Sequence, residues 1–293
     1  MGRTVAIALL LAAAAAAASA QQAPRSGWQV DSLKGRVRSV VVKSVESRAA
    51  VAGFGVRMQF SAEDARVSSS SAYDANGNRT AWSGFDDYGI MTSRYVNSFD
   101  AAGRLASTAC YRGNNTLSST WVYTYDAQGN TVETGNYFPG GALLRRWVYT
   151  YDEKGLVSWW AIVGGDGSVS SRYENTHDAN GNLVGTTAYD GTGALIYRDV
   201  TTWDAAGRRT GWTLYGKDGA LVGSWVYTYD QEGNQSAALD YNPDGSIAAE
   251  WLYTYSFDRE GNWVEKVSSR LVTTSGQTTV EPVAGEFRTV EYY

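Results

Sequence analysis

The chain has 293 residues, a formal charge of −5, 11 Trp, 20 Tyr, 32 Gly and only 4 Pro. Its basic residues are dispersed, which excludes a phosphate-tracking nucleic-acid surface. Cys110 and His177 are each alone of their kind, so an internal disulfide is excluded and a histidine metal site lacks a second imidazole.

The chain opens MGRTVAIALLLAAAAAAASA. One positive charge, a short apolar run and small residues at 18–20 are the order of a secretory signal peptide, with cleavage expected after Ala20. Residues 21–34 read as a linker. No other segment approaches the roughly 18 apolar residues of a spanning helix, so no integral membrane span is expected after cleavage. Residues 36–47 and 53–60 read as strands and 61–71 as a polar connection. Residues 35–293 are expected to form a single all-β repeat domain.

Eight aspartates, from Asp74 through Asp100, Asp126, Asp152, Asp178, Asp204 and Asp230 to Asp258, are separated by six intervals of 26 residues and one of 28. A glycine follows each three residues later, as in Asp74/Gly77, Asp126/Gly129 and Asp230/Gly233. A second glycine series falls 15 residues after the aspartates, with Asn115 in its one vacant place. Asp-x-x-Gly suits a type I turn whose glycine takes the left-handed position, and Asn tolerates that position next best. Each unit is therefore predicted to be two antiparallel strands of about nine residues.

Strict alternation between the turns would place all odd offsets from the aspartate on one face. That face holds Trp121/Tyr123/Tyr125 and Trp225/Tyr227/Tyr229, with the residues at offsets 11 and 17, such as Tyr111 and Leu117. Threonines dominate the other, water-facing side. The fold class is all-β: a long antiparallel meander of 26-residue hairpin repeats, about 16 strands, curled into a spiral or barrel-like shell. The tail 285–293 is expected to close one end.

The repeats YDANGNRT at 73–80, FDAAGRLA at 99–106, YDAQGNTV at 125–132 and WDAAGRRT at 203–210 resemble the YD repeat of the RHS/YD-repeat proteins, over about residues 71–266. The half-units KDGALVGSWVYTYD and PDGSIAAEWLYTY are also similar to MORN-variant repeats. The RHS resemblance implies a coiled β-shell and a secreted, periplasmic or cell-surface location. The chain contains no Asp-Pro dipeptide, so the self-releasing toxin of large RHS proteins is not implied.

His177 stands in the aromatic slot before Asp178 and reads as a ring substitute. DANGN at 74–78 places oxygen ligands on alternate residues, but it lacks the later glycine and distal Glu of a calcium loop. No catalytic residue, metal or cofactor is therefore expected, and no carboxylate pair stands out by spacing. Trp82, Trp160 and Trp212 share offset 8, on the supposed wet face, where exposed rings stack on sugars or anchor a protein. The sequence thus points to a non-enzymatic exported protein whose partner is a glycan or an envelope or surface protein. The alternatives are an outer-membrane β-barrel and a glycoside-acting enzyme.

Overall fold

The computed structural model describes residues 31–46, 61–63, 65–274 and 277–293. The expected signal peptide, the expected linker up to residue 30 and the strand expected at 53–60 lie outside the described residues. Eighteen strands succeed one another: β1 Val37–Glu46, β2 Arg66–Tyr73, β3 Arg79–Phe85, β4 Met91–Phe99, β5 Leu105–Arg112, β6 Leu117–Tyr125, β7 Thr131–Tyr137, β8 Leu143–Tyr151 and β9 Val157–Gly164; then β10 Val169–His177, β11 Leu183–Asp190, β12 Leu195–Trp203, β13 Arg209–Gly216, β14 Leu221–Tyr229, β15 Gln235–Tyr241, β16 Ile247–Phe257, β17 Trp263–Thr274 and β18 Gln277–Tyr292. Each pairs antiparallel with its chain neighbours, and β1 pairs with both β2 and β18. The meander is therefore a closed barrel without a free edge. At eighteen strands, side chains alone no longer fill a barrel of regular section.

The turns obey the sequence. In the first hairpin Gly77 donates to the Asp74 carbonyl at 3.0 Å, while Asp74 Oδ1 accepts the amides of Asn76 and Asn78, each at 2.9 Å. The same aspartate brace recurs at Asp126 and Asp230, and Asn115 takes φ 61° in its turn. Gly129 sits at φ +90° and Gly233 at φ +88°, each donating to the carbonyl of its aspartate, at 3.1 and 3.2 Å. An arginine from the neighbouring turn reaches over each, with Arg104 Nη1 4.0 Å from where a Gly129 side chain would start and Arg208 Nη1 3.9 Å from the same point at Gly233. A methyl group fits at either distance, so the backbone decides the effect of a substitution. Gly129→Ala is expected to cost about 1–2 kcal/mol from the left-handed backbone alone. Urea unfolding checks it; an unchanged midpoint would mean that the turn relaxes.

The facing rule needs correction. Every pair from β2/β3 to β16/β17 carries a register shift one step in from its turn, for example between Cys110 and Tyr111 and between Thr124 and Tyr125. A β-bulge sets two residues against one and reverses the parity of the residues beyond it. Trp121 thus lies opposite Thr108 and Asn136, at offsets 8 and 10. Tyr111 instead lies opposite Arg94, with the guanidinium 4.9 Å from its ring centroid. Offsets 11 and 17 belong to the face opposite the Trp-Tyr-Tyr triplets.

The wall is one layer thick, and its two faces differ in burial. Cys110, Thr134, Asn136, Trp160, Ala188 and Trp212 are buried on the triplet face, whereas Val122, Trp159, Ile196 and Val226 are exposed on the other. Side chains converge on the concave side of a curved sheet and splay on the convex side. The aromatic face is therefore the inner wall.

The ends are clasped together. Asn262, 2% exposed, accepts from the Lys34 amide at 2.6 Å and donates to the Lys34 carbonyl and the Tyr292 hydroxyl. Asp31 accepts from the Tyr73 hydroxyl and from Arg79. Residues 31–34 are thus docked on the barrel rather than serving as linker, and β2 occupies most of the stretch expected to be a polar connection.

Candidate functional site

The inner wall repeats one construction. At four of the turn aspartates the preceding ring reaches back 20 residues to a backbone carbonyl: Tyr125 to Leu105 at 2.8 Å, Tyr151 to Thr131 at 2.7 Å, Trp203 to Leu183 at 2.8 Å and Tyr229 to Arg209 at 2.7 Å. These bonds fix the last ring of each triplet flat on the wall and leave the middle of the strand to vary.

Trp82, Trp160 and Trp212 are all on this inner wall, not on the wet face. Each lies in a cross-strand ring pair: Trp82 with Tyr95 at 5.3 Å, Trp160 with Tyr173 at 3.7 Å and 6°, Trp212 with Trp225 at 4.6 Å. Offset 8 follows the bulge at offset 6 of its strand, which reverses its facing, and this is why simple alternation misplaces it. Trp160 is 1% and Trp212 8% exposed, so neither offers a free ring face. His177 is half-buried in the aromatic slot expected for it, and burial pushes its pKa down.

One open stretch of the inner wall lies between β4 and β7. A concavity of about 580 Å³ is lined there by Ser93, Tyr95, Thr108, Cys110, Ser119, Trp121, Tyr123 and Asn136, and it reaches the rim at Arg112. Trp121 forms the middle, with Thr108 and Asn136 on its flanks and Trp147 at 4.7 Å behind it. Thr108 is oriented by donating to Asn97 Oδ1 at 2.8 Å, and Asn97 donates to the Arg79 carbonyl at 2.7 Å. Tyr95 is 39% exposed at the mouth, beside the ring of Trp82.

Among the described residues that line this concavity, the one with a charged side chain is Arg112, at the rim. Burial raises the pKa of the Cys110 thiol and of the Tyr123 phenol, which keeps both neutral and unreactive at pH 7. Asp199 replaces the aromatic residue of its unit, is 7% exposed, and accepts from the Thr186 amide at 2.9 Å; burial pushes its pKa up. Asp240 also faces inward, three strands away, and the register carries it to the level of Thr201, two residues along from Asp199. Three strands span about 14 Å at normal strand spacing, wider than the 5–10 Å of a glycosidase pair. Among the described residues no cluster of His, Cys, Asp and Glu is suited to a metal ion.

By sequence the Trp-Tyr-Tyr triplets read as packing, and a ligand is expected on the opposite face. The signal that singles out Trp121 is its set of neighbours: with the bulges counted, it meets the uncharged polar pair Thr108 and Asn136, whereas Trp147 meets Thr134 and Ile162 and Trp225 meets Trp212 and Asp240.

No family model matches the chain, and no curated protein does. A porin-like protein from Bacteroides uniformis is similar at 11% identity and TM-score 0.45, over 88% of this chain and 98% of that one. One from Bacteroides vulgatus is similar at 8% identity and TM-score 0.32, over the same shares. A TcdB2-TccC3-Cdc42 structure is similar at 11% identity and TM-score 0.23, over 74% of this chain and 17% of that one. Likenesses at this level leave the function to be argued from the barrel's own geometry.

Proposed function

We propose that this chain is a non-enzymatic β-barrel exported to the cell envelope, and that its inner wall binds a neutral glycan strand at the Trp121 concavity. The observation that carries this is the composition of the open patch. Aromatic faces alternate there with uncharged hydroxyl and amide groups, so a sugar ring can stack while its hydroxyls find partners. The signal-peptide pattern at 1–20 and the resemblance to RHS/YD-repeat proteins support the envelope location.

A glycan array probed with residues 21–293, alongside Trp121→Ala and the rim control Tyr88→Ala, tests this reading. Saturable binding should weaken about tenfold or more in Trp121→Ala, near 1.4 kcal/mol, and persist in Tyr88→Ala. A wild-type chain that binds no glycan would sink the reading and shift it to a protein partner.

A second reading, an outer-membrane barrel, is favoured by one observation: closure of eighteen antiparallel strands joined mainly by short turns. Against it, Arg94, Arg146, Arg172 and Arg198 each stand fourth in their nine-residue strands, on the outer face. Near the bilayer midplane an arginine costs about 2–4 kcal/mol. Recovery in the carbonate-washed membrane pellet would establish the membrane barrel; release into the supernatant would exclude it.

A further inference from the structure

Where β16, β17 and β18 complete the inner wall, one charged group has no acceptor. The Arg288 guanidinium lies 3.4 Å from the centroid of the Trp263 ring, and its Nε and Nη1 are buried without a hydrogen-bond partner. The nearby carboxylates are engaged elsewhere. Glu286 accepts from Lys266 Nζ at 3.1 Å, and Asp31 accepts from Tyr73 and Arg79. A buried unpaired donor costs about 1–3 kcal/mol, and more when charged. Burial also pulls the Arg288 pKa down, the mark of a cation whose surroundings do not compensate it.

We propose that Arg288 is the anchor for a carboxylate carried on a sugar ring, so that the inner wall takes an acidic, uronate-type glycan at this end. The charge count favours a carboxylate. Lys266 cancels Glu286 and Arg79 cancels Asp31, which leaves the single charge of Arg288 to meet a singly charged oxyanion rather than a phosphate dianion. Nη2, the guanidinium nitrogen that is not sealed off, can donate to a carboxylate oxygen, and Tyr255 on β16, 6.4 Å from the Trp263 ring, offers ring surface for the sugar body. The proposal rests on the reading that the barrel interior takes carbohydrate, but at a different place on the wall from Trp121.

Calorimetric titration of trigalacturonate and of maltotriose into residues 21–293 tests it, with the wild type, Arg288→Met, Arg288→Lys and Trp121→Ala. Trigalacturonate should bind the wild type and Trp121→Ala alike, and weaken about tenfold or more in Arg288→Met. Arg288→Lys, which keeps the charge but shortens the reach to the ligand and loses the planar contact with Trp263, should fall between. Maltotriose binding should ignore Arg288→Met, and without ligand that variant should melt no lower than the wild type, because an uncompensated charge has been removed. No wild-type binding of trigalacturonate at about 10 mM, or equal binding by the folded Arg288 variants, overturns the proposal. Trigalacturonate binding without maltotriose binding would uphold it while removing the Trp121 reading.

Discussion

Trp160→Ala is expected to lower the unfolding free energy by about 3–5 kcal/mol, the usual cost of truncating a fully buried large aromatic residue. The single-layer wall gives most side chains one covered face, and Trp160 is an exception at 1% exposure. Its ring lies flat on Tyr173 at 3.7 Å, and Val157, Trp147, Tyr149 and Ile162 pack around the pair. Removing it leaves a void that backbone hydrogen bonds on both sides of β9 keep from collapsing. The Trp160 Nε1 is buried without an acceptor. Trp160→Phe deletes that unpaired donor along with part of the ring, and should cost clearly less than Trp160→Ala. Trp82→Ala, at a half-buried ring, should also cost less. Urea unfolding monitored by both fluorescence and circular dichroism measures all three. Equal losses in Trp160→Ala and Trp82→Ala would show that burial does not rank these positions.

The periodic aspartates and glycines made the turns legible, because a left-handed residue every 13 positions or so has few other uses. Strand length, antiparallel pairing and curling came from them, down to Asn115 replacing glycine. The arginine cover over Gly129 and Gly233 was not legible, since it depends on how far adjacent turns stand apart in space. The ring's closure was only half legible: 36–47 read as a strand and 285–293 as a tail closing one end, but nothing in their composition said that they would pair with each other. The faces were misread for a physical reason. A bulge is set by backbone hydrogen bonding, and the residues that occupy it are diverse: Thr80, Thr92, Leu144, Ser158 and Val222 all stand one step in from a turn. The trace it leaves in the sequence is weak. Thr80, Thr92, Ser158 and Ser170 each donate to a carbonyl across the hairpin, at 3.1–3.3 Å, so hydroxyl residues recur at these positions without being required. One uncounted residue then turned Trp82, Trp160 and Trp212 from supposed exterior platforms into inner-wall packing. It also hid the meeting of Trp121 with Thr108 and Asn136.

The same inner wall should make the barrel sensitive to alkali. Burial raises the phenol pKa of Tyr149 and of Tyr255 to about 12, and pushes Tyr73, Tyr151 and Tyr197 higher still. An unfolded tyrosine titrates near 10. The folded pKa is the raised one, so the folded state holds these protons more tightly. Their contribution is fully present below about pH 10 and is lost as pH rises toward the folded values. For Tyr149, which is well covered, the loss on full titration is about 2–3 kcal/mol. With several such phenols acting together, stability should fall steeply from about pH 10 upward. Urea midpoints taken across that range should decline while tyrosinate absorbance appears only with unfolding. Tyr149→Phe should flatten the decline by about one proton's worth, near 1.4 kcal/mol per pH unit between about pH 10 and 12. Phenols that ionise freely near pH 10 in the folded protein would show that water reaches the triplets, and the inner wall would then be wetter than its packing implies.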